Sequence, residues 1–128
     1  MKHQYCITAI VLILSLLSGC IGISPYRQEF GFMFVGFGGY RDSKEANGNY
    51  LVFYSSGHAA FHSKEKVRDF SLRRACELTM ENGFKGFQIV EERGDEYECV
   101  FQIHLTDSCG ENVLNAQTTL STLHEKYK

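Results

Sequence analysis

Tryptophan is absent from this chain, and proline occurs once, at Pro25. That composition excludes collagen-like, low-complexity and wholly disordered chains. No apolar stretch approaches the roughly 20 residues that a helix needs to span a bilayer; the longest covers residues 7–17. Charge of one sign is not in excess either. The 13 Lys and Arg face 15 Asp and Glu, for a net charge of -2, too balanced for a protein whose main task is holding nucleic acid. No Cys-x-x-Cys occurs. The glycines of residues 31–40 have neither dinucleotide-binding spacing nor a Gly-Lys-Ser/Thr ending, so they do not cradle phosphate. What is present is a 128-residue chain, 44% hydrophobic and 22% charged, of a length for one domain.

The apolar run 7–17 follows Lys2 and the terminal amine, the n-region and h-region of a secretory signal peptide. It closes on Leu17-Ser18-Gly19-Cys20. This tetrapeptide resembles the lipobox of bacterial lipoprotein precursors. The resemblance implies that Cys20 is diacylated on sulfur, that the chain is cut between Gly19 and Cys20, and that the new amine is acylated. Small side chains at Ser18 and Gly19 suit a peptidase cleft, and only a thiol offers the nucleophile that takes the lipid. Cys6 has no apolar run before it. Two or more acyl chains, at ~0.8 kcal/mol per buried methylene, hold a protein stably on a membrane. Position 21 is Ile and not the Asp that retains lipoproteins at the inner membrane, which points to the periplasmic face of the outer membrane. Cleavage also removes Lys2, so the lipid and not the protein's charge would do the anchoring. The expected organisation is a signal peptide over 1–19, a lipidated Cys and tether over 20–30, and one domain over 31–128.

Aromatic residues alternating with smaller ones predict a strand over 31–40. The polar segment 41–49 holds the turn signal Asn47-Gly48, and 50–54 is a strand by its β-branched and aromatic content. A loop over 55–62 precedes a helix over 63–83, capped by Ser63 and closed by Gly83. Strands are expected over 84–91 and 97–105, joined by a turn at Arg93-Gly94-Asp95. A last amphipathic helix carries Val113, Ala116, Leu120, Leu123 and Tyr127. The order β-β-α-β-β-α predicts an α+β fold, a small two-layer sandwich of one antiparallel sheet with helices on one face. Leu51, Phe53, Ala75, Leu78, Phe87, Ile89, Phe101 and Ile103 are the expected core.

Gly38-Gly39-Tyr40 is followed by Asn49-Tyr50-Leu51-Val52-Phe53, then by Arg73-Arg74-Ala75-Cys76-Glu77-Leu78, Asn82-Gly83-Phe84 and Phe87-Gln88-Ile89. This succession resembles a family of small proteobacterial lipoproteins of unknown function. Its members carry Gly-Gly-Tyr, Tyr-x-Val-x-Phe, Arg-Ala-Ala-Glu-Leu, Asn-Gly-Phe/Tyr and Phe-x-Ile. Asn115-Ala116-Gln117, leading to Leu120 and Leu123, is similar to that family's closing helix. Cys76 stands where the family has Ala, and Ser55-Ser56-Gly57 replaces a Gly-Asn type of turn. The resemblance implies a lipid-anchored fold and brings no catalytic residues.

Few residues offer chemistry. In an oxidising compartment, Cys76 and Cys99, facing each other across two layers, are one possible disulfide; Cys99–Cys109 is another, and buried reduced thiols are the third arrangement. His58 and His62, four apart, are weak metal candidates in a loop without a third ligand. Glu91, Glu92, Asp95, Glu96 and Glu98 cluster around a turn, where a solvated charged tip is expected. Arg73 and Arg74 can pair with Glu77 or bind an anion. The expectation is a non-enzymatic lipoprotein with no cofactor beyond lipid on Cys20. Its partners would be the membrane and an envelope protein, with no nucleic acid. The alternative is a periplasmic ligand- or metal-binding module.

Overall fold

The structure, a computed structural model, describes residues 37–57 and 63–128. The signal peptide, Gly19, Cys20, the tether and the histidines His58 and His62 lie outside the described residues. Five strands form one antiparallel sheet: β1 (Phe37–Lys44), β2 (Tyr50–Gly57), β3 (Gly86–Gly94), β4 (Glu98–Thr106) and the two-residue β5 (Leu114–Asn115). Helix α1 (Lys64–Glu81) joins β2 to β3, and α2 (Ala116–Lys126) follows β5. The spatial order is β1-β2-β4-β3-β5. Because β4 is antiparallel to both neighbours, β2 and β3 run parallel with α1 as their crossover, a split β-α-β unit. The chain has the expected α+β class and element order, with β5 added.

Local chemistry sets the boundaries. Gly48 takes φ +86° in the β1–β2 turn, and Asn47 Oδ1 accepts from the Asn49 N–H at 2.9 Å. The turn is shorter than expected. Arg41 to Lys44 belong to β1, held by pairing that runs from Arg41↔Phe53 to Lys44↔Tyr50; polar residues are at home on an outer strand. Ser63 caps α1, its Oγ accepting from the Lys66 N–H at 3.2 Å, and Asn115 caps α2 through the Thr118 N–H at 2.9 Å. Val113 sits in the turn before α2, its N–H on Gly110 O at 3.1 Å. Strand β3 runs on through Arg93 and Gly94. The turn is made instead by Asp95, whose carboxylate accepts from the N–H groups of Tyr97 and Glu98 at 2.7 and 3.0 Å.

The core lies between α1 and the sheet. Val67, Phe70, Ala75 and Leu78 of α1 meet Val52 and Tyr54 of β2, Phe87 of β3, and Phe101, Ile103 and Leu105 of β4. The Phe70 ring stands edge-on to Tyr54 (centroids 5.2 Å, 87°) and to Tyr127 (5.4 Å, 65°). One facing is reversed. Val52 and Tyr54 are fully buried, while Leu51 and Phe53 are half-buried on the opposite side of the sheet. Residues 50–54 are apolar throughout, so their pattern does not choose a face; the register does, pairing Val52 with Phe101 and Tyr54 with Cys99. Ala75, Leu78, Phe87, Phe101 and Ile103 are buried as expected, and Ile89 packs against them while partly exposed.

A bulge shifts the β3–β4 register between Ile89 and Glu91. The extra residue reverses the alternation beyond it. Glu92 therefore turns toward α1, where Arg68 Nε and Nη2 donate to its two carboxylate oxygens at 2.7 and 3.0 Å.

Candidate functional site

Cys76, Cys99 and Cys109 are free thiols, so the Cys76–Cys99 bridge is not formed. Ser71 is the helix residue that lies over Cys99, its Oγ 3.3 Å from the Cys99 carbonyl oxygen. Cys76 lies five residues further along α1, more than one turn from Ser71. Burial, aided by Glu77, pushes the Cys76 thiol up to about 12, and burial with Glu92 pushes Cys99 up to about 11. Both are held as neutral thiols at neutral pH, which makes them poor nucleophiles. Cys109 is exposed in the β4–β5 loop. Among the described residues no group of three or more His, Cys, Asp and Glu is placed to hold a metal ion. His104 stands exposed on β4, its Nδ1 3.0 Å from Asn49 Oδ1.

The charged residues mostly hold elements together. Arg73 pairs with Glu77 at 3.0 Å, as its spacing predicts. Arg74 reaches farther, to Asp42 of β1 and to Glu81, both at 2.7 Å, with its guanidinium 4.9 Å from the Tyr40 ring centroid. Burial works against that charge, but the hydrogen bonds to Glu81 and Asp42 outweigh it and raise the guanidinium pKa. In the acidic turn, the Tyr97 and Glu98 amides hold the Asp95 carboxyl below its usual range.

One cluster was not foreseen. Asp69 of α1 is 7% exposed. Its Oδ2 accepts from Lys126 Nζ at 2.6 Å and from the Tyr127 hydroxyl at 2.7 Å, while Lys126 also reaches Glu65 at 2.6 Å. Burial first, and then the bond to Asp69, push the Tyr127 hydroxyl up to about 12. Hydrogen bonds to Asp69 and Glu65 raise the Lys126 pKa. These partners stand 57 and 58 positions apart in the chain, so no local pattern announces them. Their arrangement latches α2 to α1.

Both helices lie on one side of the sheet, and among the described residues nothing covers the other side. There Leu51 and Phe53 of β2 and Val100 of β4 form an apolar strip, with the Arg41 guanidinium 4.3 Å from the Phe53 ring centroid. With Asp42, Ser43 and Glu98 these residues line a shallow hollow of about 480 Å³. The hollow thus has an apolar floor inside a charged rim. The chain matches no protein-family model, no curated protein and no solved structure.

Proposed function

We propose that this chain is a non-enzymatic lipoprotein, tied by acyl chains on Cys20 to the periplasmic face of the outer membrane, whose α+β domain binds another envelope protein. The observation that carries the reading is Leu17-Ser18-Gly19-Cys20 closing the apolar run 7–17. Ile21 supports the outer membrane, and the open apolar strip of Leu51, Phe53 and Val100 supports the binding role. Labelling cells with radioactive palmitate, with mass spectrometry of the processed N-terminus, tests the anchor. Wild type should carry label and begin at acylated Cys20, whereas Cys20→Ser should be neither labelled nor cut. A Ser variant processed and located like wild type ends the placement. Crosslinking in the envelope followed by mass spectrometry identifies the partner, and turnover of a defined substrate by the purified chain would overturn the non-enzymatic role. The spacing of His58 and His62 is the one feature that favours a metal-binding module instead. Zinc calorimetry decides it, equal heats from wild type and His58→Ala removing that alternative.

A further inference from the structure

Strand β3 has two unlike edges. On one side it pairs with β4 along its whole length. On the other, β5 covers only Gly86 and Phe87. Residues 88–94 have no strand beside them on that side among the described residues, and every residue from Val90 to Gly94 is exposed.

The ladder tells which backbone groups are open. The Ala116 N–H donates to Lys85 O at 3.0 Å, on the β5 side. Antiparallel backbones turn to alternate sides residue by residue. Phe87 and Ile89 therefore face the β5 side, and Gly86 and Gln88 face β4. The bulge at Val90 inserts one residue, after which Glu91 and Arg93 face β4. Ile89, Glu92 and Gly94 are left presenting N–H and C=O outward, which is what an added strand requires. The edge already holds one antiparallel strand, β5. Among the described residues nothing continues its line beyond Leu114, because the chain bends away at Val113, whose N–H is bonded to Gly110 O at 3.1 Å.

Charge selects the occupant. Glu91, Glu92, Asp95, Glu96 and Glu98 surround this edge and its turn. Arg68 pairs with Glu92 and Arg93 with Glu91, and Lys64 lies near Asp95, which leaves Glu96 and Glu98 as the negative surplus at the turn. Val90 and Tyr97, 55% and 58% exposed, offer apolar surface alongside. The same carboxylates oppose edge-to-edge pairing of two copies, which would set Glu against Glu. We propose that the free edge of β3 takes an extended, cationic segment of a partner protein as a sixth strand. This rests on the binding-module reading and not on the lipid anchor.

The test uses the 15N-labelled full chain and an acetylated, amidated peptide of five Val-Lys repeats, with five Val-Glu repeats as the control. Amide hydrogen exchange is followed by NMR. The Val-Lys peptide should slow exchange at Glu92 and Gly94 by about tenfold or more. The amides of Glu91 and Arg93, already bonded to β4, should not change. N-methylation of alternate peptide nitrogens should abolish the protection, and Glu96→Lys, at a solvated turn position, should weaken it several-fold. Equal protection by the Val-Glu peptide, chemical-shift changes confined to Leu51, Phe53 and Val100, concentration-dependent dimers in place of peptide binding, or no protection at all would each overturn the proposal. A partner crosslinked in the envelope while β3 stays unprotected would sink the edge assignment and leave the binding module standing. Absence of any crosslinked partner would count against the module itself.

Discussion

Tyr127→Phe deletes one oxygen and leaves the ring against Phe70, so it isolates the bond that the hydroxyl donates to Asp69 Oδ2 at 2.7 Å. A hydrogen bond to a charged acceptor contributes about 1.5–3 kcal/mol, and a partly exposed tyrosine belongs at the lower end, about 1.5 kcal/mol. In a domain of this size each kcal/mol moves Tm by about 4–8 °C, so the variant should melt about 6–12 °C lower. Asp69→Ala also strips Lys126 of a partner, but that ammonium is solvated and its bridge adds little. The decisive experiment is the double-mutant cycle of Asp69→Ala and Tyr127→Phe by urea unfolding. It should return a coupling of about 1 kcal/mol or more, and a coupling under about 0.3 kcal/mol refutes the latch. The pH dependence has a definite sign. The unfolded phenol ionises near 10.0 and the folded one near 12. The stabilisation is complete below pH 10 and is lost as pH rises toward 12. Tyr127→Phe should flatten that alkaline fall.

Three further tests use the same unfolding measurements. Phe101→Ala should cost about 3–5 kcal/mol, whereas Phe53→Ala on the open face should cost under about 1 kcal/mol; equal losses would contradict the facing of β2. Gly94→Ala would set a Cβ 2.4 Å from Glu98 O and 2.9 Å from Cys99 Cα, both backbone atoms. It should destabilise by about 1–3 kcal/mol, and a neutral result would mean that the β3–β4 turn relaxes freely. The Cys76 thiol ionises at 9.0 when exposed and near 12 when folded. Stability should therefore fall with rising pH across that window, by up to about 1.4 kcal/mol per pH unit. Cys76→Ala should reduce the slope. In the native protein a thiol reagent should label Cys109 at once, and Cys76 and Cys99 only on unfolding.

Where one residue type decides a local conformation, the sequence was enough. Ser63 and Gly83 mark the ends of α1 because capping and left-handed closure need only near neighbours. The alternation in β4 was equally plain, since Cys99, Phe101, Ile103 and Leu105 go in while the residues between stay more exposed. Two features needed the third dimension. The facing of β2 is decided by its pairing with β4, because its own residues are apolar on both sides. The bulge at Val90 leaves no mark that a period of two can detect, yet it determines that Glu92 rather than Glu91 meets Arg68. The acidic turn was visible as composition, but which carboxylates pair with arginine, and which backbone groups remain open, depends on that one inserted residue.

The open face of the sheet and the edge of β3, which no described residue covers, are continuous, and this bears on how a partner would bind. Glu91 pairs with Gln102 and Arg93 with Val100, so the open side of β3 borders the strip of Val100, Phe53 and Leu51. A strand added beside β3 would place alternate side chains on that same side, one strand width of about 4.8 Å beyond Glu91 and Arg93, which lie between it and the apolar strip. Its other side chains would fall beside α1, where Lys64, Arg68, Glu92, Gly94, Asp95 and Cys99 line a hollow of about 290 Å³. Backbone pairing would supply the attachment, and the alternating pockets would supply the discrimination. A partner segment with lysine or arginine confined to one face and aliphatic residues on the other should therefore protect Glu92 and Gly94 better than one of the same composition in scrambled order. If scrambling makes no difference in the exchange assay, the interaction is charge attraction alone, and the geometry of the edge is irrelevant to it.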